Sequence, residues 1–182
     1  MIIVTVGTEK FPFDRLMEWI DNLIEQNLLD PKQEEIIIQY GSCNILPKGA
    51  NNYALLPPEE FQNLVSKARL IIAHCGEGTI DLLASTSNKP FILVPRSDRF
   101  QEHVDDHQIE LANKLVQLGI PVANSVEDLA SFLSNPVAVK IKKTPSSYYA
   151  QASLLLEAQF NRDKVLEDLS RYSSRELIPM FG

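Results

Sequence analysis

Leu70-Ile71-Ile72-Ala73-His74-Cys75-Gly76-Glu77-Gly78-Thr79 is the stretch whose reading decides the fold. A short apolar run ended by a glycine turn is the pattern of a strand buried on both faces, as in a parallel sheet. Helical spacing resumes at about Thr79, and Phe91 to Val94 repeats the apolar strand pattern. Strand, glycine turn, helix and strand together make a βαβ unit, which requires a parallel pairing.

The same alternation extends both ways along the chain. Upstream, Ile2 to Val6 is a first strand ending at Gly7-Thr8, and Phe13, Leu16, Met17, Ile20, Leu23 and Ile24 lie on one face of a following helix. Pro12 is expected in that helix's first turn, where a missing N–H is harmless. Glu35 to Tyr40 gives a second strand, Tyr53 to Leu56 a short third, and Pro58 opens a helix through Phe61, Leu64 and Val65. Downstream, a helix is expected from Val104 to Leu118, stopped by Gly119. A brief strand at Pro121 to Ala123 precedes a helix capped by Ser125, with Asp128 three residues on. The fold class is therefore α/β, a doubly wound parallel sheet of Rossmann-like type. After the basic stretch Lys140 to Lys143, an amphipathic tail starts at Ser146 and carries Tyr149, Leu154, Phe160, Val165 and Leu169. The chain accordingly divides into residues 1–140, the sheet domain, and residues 141–182, a C-terminal helical arm.

Composition narrows the function classes. With 182 residues, 45% hydrophobic and 23% charged, the chain can bury a proper core. A formal net charge of -7 argues against wholesale binding to nucleic acid or an anionic membrane, so any phosphate must be met by local amides and a few placed side chains. Cys43 and Cys75 form no close-spaced metal or redox motif, and reduced thiols in a cytoplasmic protein are the expectation. The strand pattern begins at once, without a leader before it, and no apolar run approaches the roughly 20 residues of a membrane span.

In an open parallel sheet, ligands bind beyond the carboxyl ends of the strands. Three loops there carry unusual residues. In His74-Cys75-Gly76-Glu77-Gly78-Thr79, the glycines admit close approach of backbone to a ligand. The helix that follows aims free N–H groups and roughly half a positive charge at the same place, which suits phosphate. Thr79 and His74 add a hydroxyl and a ring N–H. A plain strand-to-helix turn with Thr79 as its cap would use the same residues. The second loop runs from Pro95 to Gln108. Its acids and amides suit a hydroxyl-rich ligand, and Arg96 and Arg99 can neutralise phosphate. His103 and His107, four apart with acids beside them, also admit a metal site, but no third distant ligand set is evident. The third loop, Gly7-Thr8-Glu9, again places a glycine at a strand end. None of these is a G-x-G-x-x-G fingerprint or a P-loop, so dinucleotide and ATPase chemistry lose their support.

Taken together, several motifs resemble one family. Val4-Thr5-Val6-Gly7-Thr8 with Pro12-Phe13-Asp14-Arg15-Leu16 resembles the opening of small subunits of two-part glycosyltransferases. His74 to Thr79, Lys89-Pro90, Val94-Pro95-Arg96 and Glu102-His103-Val104-Asp105-Asp106-His107-Gln108 continue the likeness over roughly residues 1 to 135. The family is the C-terminal-domain-like branch of glycosyltransferase family 28. It includes bacterial exopolysaccharide and capsule subunits and the cytosolic subunit of the eukaryotic dolichol-linked N-acetylglucosaminyltransferase. The resemblance implies half of a GT-B fold that binds a UDP-sugar, with a membrane-associated partner presenting a lipid-linked acceptor. The protein would then be peripheral to the membrane on the cytoplasmic side, with no cofactor beyond the donor. It also implies roles. Gly7, Thr8, His74, Gly76, Gly78, Thr79 and Arg96 would hold the diphosphate, and Asp106, His107 and Gln108 the sugar hydroxyls. Leu56 and Pro57 would meet the uracil, and Asp81 the ribose, although family members place that carboxylate where this chain has Leu82. Glu9 and His103 are the local candidates for a base, which the partner could equally supply. A subunit that binds UDP-sugar without catalysing transfer is the alternative.

Overall fold

The computed structural model describes residues 1–85, 89–136 and 138, all within a unit spanning Met1–Lys143. The Lys140 to Lys143 stretch and the expected arm lie outside the described residues. In chain order the elements are β1 (Ile2–Thr5), α1 (Asp14–Glu25), β2 (Ile36–Gln39), β3 (Asn51–Tyr53), α2 (Pro58–Lys67), β4 (Leu70–His74), α3 (Glu77–Ser85), β5 (Phe91–Val94), a 3-10 turn at Asp98–Phe100, α4 (His107–Gln117) and α5 (Val126–Ser134).

The five strands form one parallel sheet in the order β3-β2-β1-β4-β5. Every residue of β1, β2, β4 and β5 is buried, as expected of strands covered on both faces. Ile3 sits beside Ile37 on one side and Ile71 on the other, and Ile71 beside Phe91. Among the described residues beyond β5, a single bridge, Leu93 to Val122, stands where a short strand was expected. β3 also falls earlier than the apolar Leu55-Leu56 pair suggested. It pairs through Asn51, Asn52 and Tyr53 with Ile37, Ile38 and Gln39, and as an edge strand it needs no apolar alternation.

Of the helix faces marked by apolar spacing, α2 buries Val65 and leaves Phe61 and Leu64 partly exposed, as Ile24 is on α1. α1 turns Leu16, Met17, Ile20 and Leu23 to the core. It begins at Asp14, so Pro12 precedes the helix instead of occupying its first turn; the Phe13 N–H is taken by the Cys43 sulfur at 3.2 Å. The cap on α5 follows expectation, Ser125 Oγ accepting the Asp128 N–H at 3.2 Å.

The strand order sets the position of the site. β1 leads through α1 to β2 on one side, whereas β4 leads through α3 to β5 on the other. With right-handed crossovers, those two helices lie on opposite faces, and the loops leaving β1 and β4 diverge. A crevice opens between them at the carboxyl ends of adjacent strands, where open α/β sheets bind ligands.

Candidate functional site

His74 closes β4 at the floor of this crevice, with 7% of its surface exposed. A Cβ placed on Gly7 would lie 2.4 Å from its Cε1, and one on Gly76 would lie 2.3 Å from its Nε2. Glycine is the only residue at either position that leaves room for the ring. Gly7 also holds φ at +77°, which other L-residues resist. The two glycines were expected to admit a ligand; on their Cβ sides they instead admit the imidazole. Buried this deeply, His74 is pushed down to about 4, first by desolvation and then by the charge of Arg96, against a hydrogen bond with the Thr5 backbone. The ring is neutral at ordinary pH. Thr79 Oγ1 stands 3.4 Å from its Nδ1, a long contact that links the floor to α3.

α3 starts at Glu77, two residues before the expected Thr79, so Gly78 and Thr79 lie in its first turn. A Cβ on Gly78 would meet nothing within 4 Å, and the helix begins beside open space. Thr8 and Glu9 are exposed on the loop after β1, and the Ser42 hydroxyl donates to the Glu9 carbonyl at 3.1 Å.

Arg96 requires a correction. It was expected at the diphosphate, yet it is completely buried. Its guanidinium donates to the carbonyls of Val6 at 2.7 Å, Phe11 at 2.8 Å and Glu102 at 3.0 Å, and stacks 4.8 Å above the Phe13 ring. Nε has no partner. Val6 and Phe11 bracket the loop after β1, and Glu102 belongs to the loop after β5, so one cation ties together the ends of both strands flanking β4. Its guanidinium is turned to backbone carbonyls, away from solvent.

The neighbouring Arg15 and Glu102 were quoted in the sequence motifs without a role. Arg15 grips Glu102 with two bonds of 2.8 Å, donates to the Pro95 carbonyl at 2.9 Å, and lies over Phe13, Trp19 and Phe100. Glu102, 3% exposed, also accepts the Ser97 N–H. A buried carboxylate needs such pairing, but only the fold reveals a partner 87 residues away.

The loop from Pro95 to Asp106 does not continue as helix, and α4 starts at His107 instead of Val104. Its own side chains compete with helical bonding. Asp106 accepts from the Ser97 hydroxyl and the Asp98 N–H, both at 2.9 Å. Asp105 takes His103 Nδ1 at 3.0 Å on one oxygen and His107 Nδ1 at 2.7 Å on the other. Hydrogen bonding to Asp105 raises the His107 pKa, and the His107 N–H, followed by the two imidazoles, lowers that of Asp105. Both histidines thus face a carboxylate, and no group of three or more His, Cys, Asp or Glu among the described residues is arranged to hold a metal. Gln108 is buried, its Oε1 accepting the Arg96 N–H at 3.2 Å, so Arg96 also connects the crevice to the residues expected at the sugar.

The remaining expected contacts lie further out. Asp81 is exposed on α3. Leu56 is buried and Pro57 exposed; both follow β3, separated from β1 by β2.

Comparison with known proteins identifies the family of the chain. Residues 1–155 match the Glycosyltransferase family 28 C-terminal domain. Over 71 residues the chain is 38% identical to "UDP-N-acetylglucosamine transferase subunit ALG13" of Cryptococcus neoformans var. neoformans serotype D, in two strains. That stretch is 38% of this chain and 34% of the relative, so the match spans about a third of the relative's length. The structure of Acinetobacter baumannii MurG superposes with a TM-score of 0.48 at 23% identity, covering 72% of this chain and 40% of that one. With its match running through most of the chain, this protein belongs to the glycosyltransferase family 28 C-terminal domain family.

Proposed function

We propose that this chain is the donor-binding subunit of an inverting glycosyltransferase that moves a hexose or N-acetylhexosamine from a UDP-sugar to a lipid-linked acceptor. A membrane-associated partner completes it as the other half of a GT-B arrangement. One observation carries the reading: at the switch point of the sheet, Gly7 and Gly76 close on a neutral imidazole, and beside it the first turn of α3 faces open space. Family membership and the relative's description as a transferase subunit support it.

Gly7, Thr8, Gly76, Gly78 and Thr79 supply amides and hydroxyls for the diphosphate, and His74 shapes the floor beneath them. Asp106, His107 and Gln108 hold the sugar, while Asp81, Leu56 and Pro57 take the ribose and uracil. The acceptor hydroxyl attacks the anomeric carbon from the face opposite UDP. The bond to the β-phosphate oxygen breaks, and its electron pair stays on that oxygen. Preorganised donors at the start of α3 stabilise the growing charge, with no cofactor in the step; one such donor in an oxyanion hole is worth roughly 3–4 kcal/mol. Among the described residues no helix is long and apolar enough to cross a membrane, so in this reading the lipid acceptor is reached on the cytoplasmic face through the partner.

Calorimetric titration of the full chain, alone and with its partner, against UDP and UDP-sugars tests the donor site: the expectation is saturable binding, and no binding by either sample sinks it. Transfer assays on the complex separate catalysis from the alternative, a subunit that binds UDP-sugar without driving transfer.

A further inference from the structure

We propose that Arg15 and Glu102 are positioning residues: their ion pair holds the loop after β5 in the shape that sets Asp106, His107 and Gln108 for the sugar of the donor. This rests on the transferase reading above. Arg15 stands in the first turn of α1, and Glu102 on the loop between β5 and α4. Arg15 Nε and one terminal nitrogen each donate to a different Glu102 oxygen at 2.8 Å, a forked pair with side chains 16% and 3% exposed. The rings of Phe13, Trp19 and Phe100 stand 4.7 to 5.1 Å from the guanidinium carbon and limit where the fork can turn.

From that pair an unbroken chain of hydrogen bonds runs to the start of α4. Glu102 Oε2 accepts the Ser97 N–H at 3.1 Å, and the Glu102 N–H returns to the Ser97 carbonyl at 3.2 Å, closing the loop on itself. The Ser97 hydroxyl donates to Asp106 Oδ1 at 2.9 Å, and Asp106 directly precedes His107 and Gln108, the first residues of α4. A second branch passes through Arg96. Its guanidinium donates to the Glu102 carbonyl at 3.0 Å, and its N–H to Gln108 Oε1 at 3.2 Å. Inside the closed loop Gln101 holds φ at +57°, a region that a residue with a Cβ enters at a cost and keeps only where its surroundings over-determine it.

Stability alone does not call for this pair. Buried ion pairs repay their desolvation poorly, and apolar residues of like volume often serve the fold as well. What the guanidinium fork adds is direction, because two parallel bonds and a third to the Pro95 carbonyl at 2.9 Å fix where the carboxylate sits. The side-chain hydrogen bonds of the pair go to Pro95 and Ser97 on the loop it holds, whereas the diphosphate is assigned to Gly7, Thr8 and the first turn of α3. Loosening the pair therefore displaces the sugar end of the site and spares the diphosphate end.

Calorimetric titration of the full-length chain in complex with its membrane partner, against UDP, UDP-glucose and UDP-N-acetylglucosamine, tests the assignment. The double variant Arg15→Met/Glu102→Gln removes both charges together, so no ion is left unpaired, and keeps an acceptor for the Ser97 N–H. Its affinity for UDP is expected to stay near that of the unaltered complex. Affinity for whichever UDP-sugar the unaltered complex prefers is expected to fall by about 10-fold, the worth of one or two hydrogen bonds to sugar hydroxyls. A pair that served folding alone would leave the ratio of the two affinities unchanged, and an unchanged ratio overturns the proposal. Should the double variant fail to fold, Arg15→Lys decides. It keeps the charge without the fork and is expected to lower the same ratio; a ratio equal to that of the unaltered complex overturns the proposal equally. Failure of the unaltered complex to bind UDP or either UDP-sugar would instead bring down the donor-site reading, and no variant is needed to see it.

Discussion

Gly76→Ala isolates the fit between the glycines and His74. The new methyl would lie 2.3 Å from Nε2 and 2.7 Å from Cδ2, whereas ordinary contact begins at 3.4 Å. The ring must therefore move by roughly 1 Å, yet its other side is closed by Gly7, whose Cβ position lies 2.4 Å from Cε1. Gly76, unlike Gly7, carries no positive φ, so backbone strain does not enter. Overpacking of this kind costs about 1–3 kcal/mol. In a His74→Ala background the methyl enters vacated space, and the smaller entropy of the unfolded chain turns the same substitution neutral or stabilising by about 0.4–1 kcal/mol. Urea denaturation of the four proteins gives a coupling energy between the two positions, expected at about 1–3 kcal/mol. Equal destabilisation by Gly76→Ala in both backgrounds would refute the reasoning, as would no effect in the native background.

Two further outcomes follow from the buried ring and the buried cation. For His74, the unfolded chain takes a proton near pH 6.5 but the folded protein only near pH 4. Stability is therefore full above about 6.5 and falls as pH drops towards 4, by up to about 3 kcal/mol, and His74→Gln should flatten that slope in pH-dependent urea melts. Glu34, held at about 2 by Arg69, titrates in the lower window and leaves this one largely clear. Arg96→Met strips donors from the carbonyls of Val6, Phe11 and Glu102 and should destabilise by about 3–5 kcal/mol in the same melts. If it folds at low temperature, its UDP affinity should fall through displacement of the loops, so the salt dependence of binding should match that of the native chain.

How much of this was legible in the sequence depended on the range of the forces involved. The four fully buried strands, β1, β2, β4 and β5, were readable because burial on both faces demands unbroken apolar runs such as Ile36-Ile37-Ile38 and Leu70-Ile71-Ile72-Ala73. The exposed edge strand β3 was not, since Asn51-Asn52-Tyr53 is placed by pairing with β2 and lacks the apolar pattern of its neighbour Leu55-Leu56. Local polar bonds misplaced the start of α4, where Asp105 and Asp106 hold a loop that helical periodicity alone would have wound. At the crevice, the loops and their glycines could be found from spacing. What fills the space beside them could not, because the contacts of Gly7 with His74 and of Arg96 with Val6 join positions 67 and 90 residues apart. An arginine in a polar loop looks like a phosphate ligand until the fold supplies three backbone carbonyls for it.

The central claim is that the backbone around Gly7 and the first turn of α3 receives the diphosphate of the donor. Titration of UDP into the isotopically labelled full chain, followed by amide NMR, examines it at each residue. The account predicts saturable shifts centred on the amides of Gly7, Thr8, Gly76, Glu77, Gly78 and Thr79. Saturation with UDP that leaves those amides unmoved while others shift would contradict it.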